Sequence, residues 1–215
     1  FFFHAHPATP DPLWSRGLGD VYKRQVHDNA YMKTYSLMEE IGKPLGFHSN
    51  YNWGDSVLGN SNRFLVTHAL GFTIYNAVHL CNWIINGLPE RFPNLKLLWI
   101  ESGLAWVPWL MQRLANDYKM RSSEGPSLKK LPCEYMRDMY FSSQPMEKPN
   151  RMDVLEMTFD LIDAENHLMW ASDYPHWDMD VPSTIFDLPF LTEKQKHRIL
   201  GGNAIELFKL ILKTE

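Results

Sequence analysis

From about residue 26 onward, helical and strand patterns alternate along the chain. Apolar residues recur every three or four positions in the helical segments, whereas the strand segments are short and almost continuously apolar. The predicted strands cover residues 44–48, 95–100, 139–142 and 168–172. The predicted helices cover residues 31–40, 63–87, 152–162, 193–200 and 203–212, with one more that contains Trp106 and Leu114. Buried strands that alternate with helices indicate an α/β fold with a parallel sheet.

Polar residues follow the predicted strands. His48, Glu101, Gln144 and Asp173 each stand at or just after the end of a strand. In a (β/α)8 TIM-like barrel the loops at the carboxyl ends of the strands build the active site, whereas an open doubly wound sheet is the alternative for a chain of this length. A complete barrel needs eight strands and roughly 250 residues. The pattern therefore predicts the C-terminal half of a barrel, about strands 5–8.

Composition narrows the classes of function. The 21 Lys and Arg residues against 25 Asp and Glu residues give a net charge of −4, which favours neither nucleic acid nor an anionic membrane as a partner. Polar groups interrupt the longer apolar runs, so we expect no membrane span. The two cysteines, Cys81 and Cys133, are too few for a disulfide framework and favour a reducing cytoplasm.

The first 25 residues are expected to lie outside the native domain, which we place at residues 26–215. Residues 15–25, SRGLGDVYKRQ, resemble the translation of a transposon-based sequencing adapter. We therefore interpret residues 1–25 as a non-native, unstructured leader. His4 and His6 form a His-x-His pair of the kind that binds metal at a strand end, but they precede the adapter-like stretch and are left out of the predicted site.

Five blocks of sequence, taken in order, resemble the amidohydrolase-related family. They are GFHSNYNW, RFLVTHALGF, ERFPNLKLLWIESGLAWVPWLMQRL, LMWASDYPHWD and ILGGNAIELF. Within that family they resemble the branch of aminocarboxymuconate-semialdehyde decarboxylase and the aromatic-acid decarboxylases. The resemblance implies a distorted metal-dependent barrel with one divalent metal ion, zinc before manganese, at the carboxyl ends of the strands.

The resemblance also implies roles for individual residues. His48 and Asp173 correspond to metal ligands, and Asp173 also to the general base or acid. His176 and Glu101 are the further catalytic candidates, while His68, Trp53 and Trp177 are expected to contact the substrate. Purely structural roles are open for each, since a buried histidine can bond a backbone carbonyl and an aspartate can cap a helix.

Two departures from the family pattern bear on the reaction. The His-x-His of the first barrel strand has no counterpart in residues 26–215, so His48 and Asp173 give two of the three protein ligands typical of catalytic zinc. Where several decarboxylases carry a histidine after the sixth strand, this chain has Glu101.

We therefore expect a metal-dependent hydrolase of a small carboxylated or aromatic substrate, with Asp173 as the base for an attacking water. A metal-dependent non-oxidative decarboxylase and a catalytically incompetent fragment are the alternatives. The expected partners are a small-molecule substrate and, in a homodimer, a second copy of the chain.

Overall fold

The computed structural model describes residues 25–49 and 57–211. Within these ranges four short strands form one sheet in the order β1-β2-β3-β4. The strands are β1 (Leu45–His48), β2 (Leu97–Ile100), β3 (Tyr140–Ser142) and β4 (Leu168–Met169). All three pairings are parallel. The predicted α/β fold with a parallel sheet is confirmed.

Helices connect and cover these strands. They are α1 (Met32–Glu40), α2 (Phe64–Ile85), α3 (Leu88–Arg91), α4 (Trp106–Met120), α5 (Pro132–Arg137), α6 (Met152–Leu161), α7 (Ala164–His167), α8 (Ser183–Phe186), α9 (Glu193–His197) and α10 (Asn203–Phe208). Each strand is followed by at least one of them, as parallel pairing requires, because a parallel connection has to return to the starting edge of the sheet.

The main core lies between the helices and one face of the sheet. Trp83 of α2, Trp99 of β2 and Phe141 of β3 are almost fully buried there. The rings of Phe47 and Trp99 stack across β1 and β2 with centroids 4.6 Å apart. Because side chains alternate along a strand, the other face of β2 presents Leu98 to a smaller cluster that α10 covers.

The register of the sheet brings the carboxyl ends of the strands together at one edge. His48 pairs with Ile100, and Ser142 pairs with Met169. Residues that directly follow one strand therefore lie beside those that follow its neighbour. This edge carries the polar residues that the sequence singled out.

Near the carboxyl terminus the structure differs from the predicted elements. Strand β4 ends at Met169 instead of residue 172. The break between the predicted helices 193–200 and 203–212 is absent, since a π-helical turn (Arg198–Gly202) joins α9 to α10. Asn203 is buried, and its Nδ2 donates to the carbonyls of Leu168 at 2.7 Å and Glu165 at 3.0 Å. The asparagine anchors this helical segment to the start of β4.

Helix α2 is long and apolar enough to cross a membrane, judged by length and composition alone. The expectation that the chain has no membrane span stays a prediction. The criterion is a weak one because core helices of packed domains also meet it, and α2 buries Leu80, Trp83 and Ile84 in the main core.

Candidate metal and substrate site

Two acidic residues of the site follow strands on an unusual backbone. Glu101 directly follows β2, and Asp173 follows β4 after three intervening residues. Both have a φ of 55°, in the left-handed region that residues other than glycine seldom occupy. Such conformations cost on the order of 1–3 kcal/mol each and persist where the surrounding structure enforces them, often at functional sites.

Imidazole and carboxylate groups meet at this edge. His48 Nε2 lies 2.6 Å from Glu101 Oε2, and His176 Nδ1 lies 2.9 Å from Asp173 Oδ2. Gln144, which follows β3, donates from Nε2 to Asp173 Oδ2 at 3.2 Å. The structure thus brings together His48, Glu101, Asp173 and His176, whose catalytic and ligand roles stay predictions.

The surroundings shift the pKa values of two of these groups. Burial, and next the charge on Asp173, raises the pKa of the Glu101 carboxyl, while the hydrogen bond with His48 acts in the opposite direction. The hydrogen bond with Asp173, followed by the charge of that carboxylate, raises the pKa of His176. In the absence of metal, the Glu101 carboxyl and the His176 imidazole therefore retain a proton to higher pH than their ordinary pKa values predict.

The donor set fits a divalent metal ion. Glu101, Asp173 and His176 can each offer one ligand atom, and these atoms lie within 4.8 Å of one another. Two carboxylates and an imidazole match the ligand preferences of both zinc and manganese. The sequence predicted His48 and Asp173 as the ligands; the geometry adds Glu101 and His176 to the groups that can take part.

A cavity of about 260 Å³ adjoins this cluster. Its polar lining includes His68, Glu101, Glu147 and Asp178, and its apolar lining includes Phe72. No lysine or arginine among the described residues lines it.

The predicted substrate-contacting residues divide between this cavity and the undescribed part of the chain. His68 lines the cavity. The Trp177 ring packs on the His68 ring, with centroids 5.0 Å apart. Trp53 lies outside the described residues, as do His4 and His6.

Several residues of the site escaped the sequence reasoning. Asp178 contacts His68, and Glu147 Oε2 accepts from the backbone N–H groups of Leu104 at 2.8 Å and Ala105 at 3.3 Å, just before α4. Gly103 makes room for this contact, because a Cβ at that position would overlap the Glu147 carboxylate. The sequence carried only a faint signal for either acid, namely a carboxylate within five residues of a predicted strand-end residue.

A larger cavity of about 460 Å³ lies at the opposite, amino-terminal edge of the sheet. Residues that precede or begin strands line it, including Lys96, Met139 and His167. No cluster of potential metal ligands among the described residues coincides with it. In barrel enzymes the chemistry resides at the carboxyl ends of the strands, so the smaller cavity is the candidate site.

Comparison with protein families gives a match over most of the chain. A family model described as Amidohydrolase matches residues 3–210. The match extends across both sides of the domain boundary predicted near residue 26, and that boundary stays a prediction.

Solved structures share the fold at low sequence identity. The 5-carboxyvanillate decarboxylase of Sphingomonas paucimobilis is 24% identical with a TM-score of 0.71, over 87% of this chain and 55% of that one. A dihydroxybenzoic acid decarboxylase from a Polaromonas species, solved with manganese and an inhibitor, is 19% identical with a TM-score of 0.65, over 86% and 55%. An amidohydrolase of Mycobacterium avium subsp. paratuberculosis is 20% identical with a TM-score of 0.66, over 84% and 46%. The chain thus spans about half the length of these proteins and matches part of their fold.

Proposed function

Because the chain belongs to the amidohydrolase family, we propose that it is a metal-dependent hydrolase that cleaves an ester, lactone or other acyl bond in a small aromatic substrate. The observation that carries the proposal is the cluster of Glu101, Asp173 and His176, with His48 in contact with Glu101. A cytoplasmic location and a homodimer belong to the same proposal and rest on the sequence alone.

In this proposal Glu101, Asp173 and His176 hold one divalent metal ion. When bound, the ion polarises the carbonyl under attack and makes a nearby water more acidic. We propose zinc as this ion, with manganese, which the Polaromonas structure contains, as the alternative.

Asp173 carries the proton transfers of the proposed reaction. It accepts the proton of the attacking water, since Gln144 and His176 hold its Oδ2 atom in position. Asp173 then passes this proton to the leaving group, because His176 as a metal ligand has to be a neutral imidazole and cannot act as the acid. The side chain of His176 is 64% exposed, so a substrate that enters from solvent can reach the ion that it would hold.

Decarboxylation is the second candidate, favoured by the names of the relatives from Sphingomonas and Polaromonas. Against it stands the position after the sixth barrel strand, where several decarboxylases of the family carry a histidine and this chain has Glu101. A divalent ion held by Glu101, Asp173 and His176 would offset the negative charge of the carboxylates, so the charge of the site does not distinguish the two reactions.

The test uses the full-length protein loaded with zinc or manganese, with Asp173→Asn as the decisive variant. Asp117→Asn, which changes an exposed carboxylate on α4, is the matched control. We expect the wild type and the control to retain the metal after dialysis and Asp173→Asn to lose it. Activity on a panel of aryl esters and lactones should fall by roughly 100-fold or more in Asp173→Asn, as for loss of a general base.

Labelled water identifies the reaction. Oxygen from the water should enter the new carboxylate of the product if the chain is a hydrolase. Release of carbon dioxide from an aromatic acid, with no labelled carboxylate, would establish the decarboxylase instead. Retention of metal by Asp173→Asn would remove the proposed centre altogether.

A further inference from the structure

Asp178 and His68 form a pair at the cavity beside the metal cluster. His68 Nε2 lies 3.4 Å from Asp178 Oδ2, and the two side chains are only 15% and 14% exposed. Gln144 Nε2, which also bonds Asp173, lies 3.4 Å from the same Asp178 oxygen. Among the described residues both contacts go to Oδ2, so Oδ1 is left to accept a hydrogen bond from a ligand.

Aromatic side chains restrict the orientation of His68. The His68 ring packs between aromatic neighbours, with centroids 5.4 Å from Phe64, 5.7 Å from Phe72 and 5.0 Å from Trp177. Fixed orientation matters because a recognition group selects by geometry only when it does not move to suit each ligand.

The cavity has the size and walls for one substituted ring. A cavity of about 150 Å³ already holds benzene, and this one measures about 260 Å³. Phe72, Pro145 and Met146 supply apolar surface for the flat faces of such a ring. Glu101 lies at the same cavity, so a ring anchored at the metal cluster extends toward Asp178.

The charges at the cavity are of one sign. Away from the metal cluster, Glu147 and Asp178 supply two carboxyl groups, whereas the described lining contains no lysine or arginine to neutralise them. An anionic substituent placed here would meet like charges in a half-buried site and bind less tightly. A hydroxyl or ammonium group can instead donate to Asp178.

We propose that Asp178, positioned by His68 and Gln144, selects aromatic substrates whose distal substituent is an uncharged or cationic hydrogen-bond donor and rejects those with a distal carboxylate. The proposal rests on the hydrolase function above and specifies its substrate class. Asp178 is thereby a specificity-determining residue that contacts the end of the ring remote from the reacting bond.

The experiment uses three hydroxamates that differ only at the para position of the ring. Benzohydroxamates with a 4-hydroxy, a 4-aminomethyl or a 4-carboxy group all present the same chelating end to the metal. Dissociation constants are measured by calorimetry on the full-length, zinc-loaded protein. The variant is Asp178→Asn, and Asp117→Asn again controls for loss of a carboxylate elsewhere.

In the wild type and in Asp117→Asn, the 4-hydroxy and 4-aminomethyl compounds should bind about tenfold or more tightly than the 4-carboxy compound. In Asp178→Asn that preference should shrink, chiefly through tighter binding of the 4-carboxy compound. Equal affinities in the wild type, or a preference unchanged in Asp178→Asn, would overturn the proposal, as would failure of all three compounds to bind. Metal retention and labelled-water assays test the hydrolase function separately, so the two proposals can fail independently.

Discussion

The carboxyl group of Glu101 lies between an imidazole and a second carboxylate. His48 Nε2 is 2.6 Å away, and the charge of Asp173 adds to burial in raising the Glu101 pKa. A carboxyl with a raised pKa binds its proton more tightly in the folded than in the unfolded chain. Its ionisation therefore opposes folding.

We predict that the metal-free protein loses part of its stability as pH rises from the unfolded-state pKa of Glu101 to its folded-state pKa. The loss begins near the unfolded-state pKa of about 4.3 and is complete above the raised pKa of the folded state. Glu101→Gln removes this ionisation. The free energy of unfolding of the variant should therefore increase relative to that of the wild type as pH increases. Urea unfolding between acidic and neutral pH measures the difference, with Glu156→Gln on α6 as the matched control. A difference that stays constant across the range would contradict the assignment.

At the scale of residues, the sequence predicted the site residues that directly follow strands better than the residues that contact and orient them. His48, Glu101, Gln144 and Asp173 could be found because parallel strands place their carboxyl ends at one edge. Asp178 could not, because it lies in an irregular loop where no periodicity relates sequence position to direction. Its contact with His68, which is far away in the sequence, depends on how α2 packs against that loop.

At the scale of elements, α2 fixes the loops of the site through polar side chains. Asn76 is fully buried, donates from Nδ2 to the Ile100 carbonyl at 3.0 Å and accepts from the Ser49 hydroxyl. One turn earlier, the Thr73 hydroxyl donates to the Ser102 carbonyl at 2.9 Å. These bonds hold the ends of β1 and β2, and with them His48 and Glu101, against the helix.

Asn76→Ala should destabilise the protein by about 1–3 kcal/mol, because the half-buried Ile100 carbonyl and the buried Ser49 hydroxyl lose their partner. Turnover should fall as well, since the loops that carry His48 and Glu101 lose a restraint. Asn86→Ala, just after the end of the same helix and exposed, is the control and should change stability by less than about 0.5 kcal/mol. Urea unfolding and kcat are the two readouts. If Asn76→Ala matched the control in both, the helix would not position the site.

The bounds of a helix were predicted best where apolar residues recur regularly every three or four positions. Helix α2 was predicted as residues 63–87 and spans Phe64–Ile85. Around Gly201 and Gly202, sequence reasoning failed because paired glycines usually end a helix. Here the buried side chain of Asn203 bonds two carbonyls of the preceding segment, and this tertiary contact outweighs the local preference.

At the scale of the whole molecule, β1 and β4 are the two edges of the described sheet. The backbone N–H of Leu45 donates to the backbone carbonyl of Lys96, the residue before β2. Because successive residues of a strand face opposite neighbours, the N–H groups of Gly46 and His48 point away from β2. Among the described residues no strand pairs with that side of β1.

Hydrogen exchange should therefore alternate along β1. The amides of Gly46 and His48 should exchange much faster than those of Leu45 and Phe47, which face β2 and serve as internal controls. Exchange measured by NMR on the full chain tests this expectation. Equal protection at all four positions would show that another segment or a second copy of the chain pairs with this edge.

The fold class and the expected half barrel followed from the alternation of elements and the polar strand ends, whereas the metal dependence rested on resemblance. Four apolar strands separated by helices specify a parallel sheet, since only parallel strands need such connections. The sequence could not show how β1 and β4 complete their hydrogen bonds. That depends on strands that the four units do not contain.

The left-handed backbone at Glu101 and Asp173 limits how this protein can be redesigned. Glycine adopts a φ of 55° without strain, so an engineer who ranked substitutions by stability alone would place glycine at both positions. The resulting protein would be relieved of backbone strain but would lack two of the three side chains grouped as metal ligands. Consensus or computational stabilisation of this chain should therefore hold residues 101 and 173 fixed and seek its gains elsewhere.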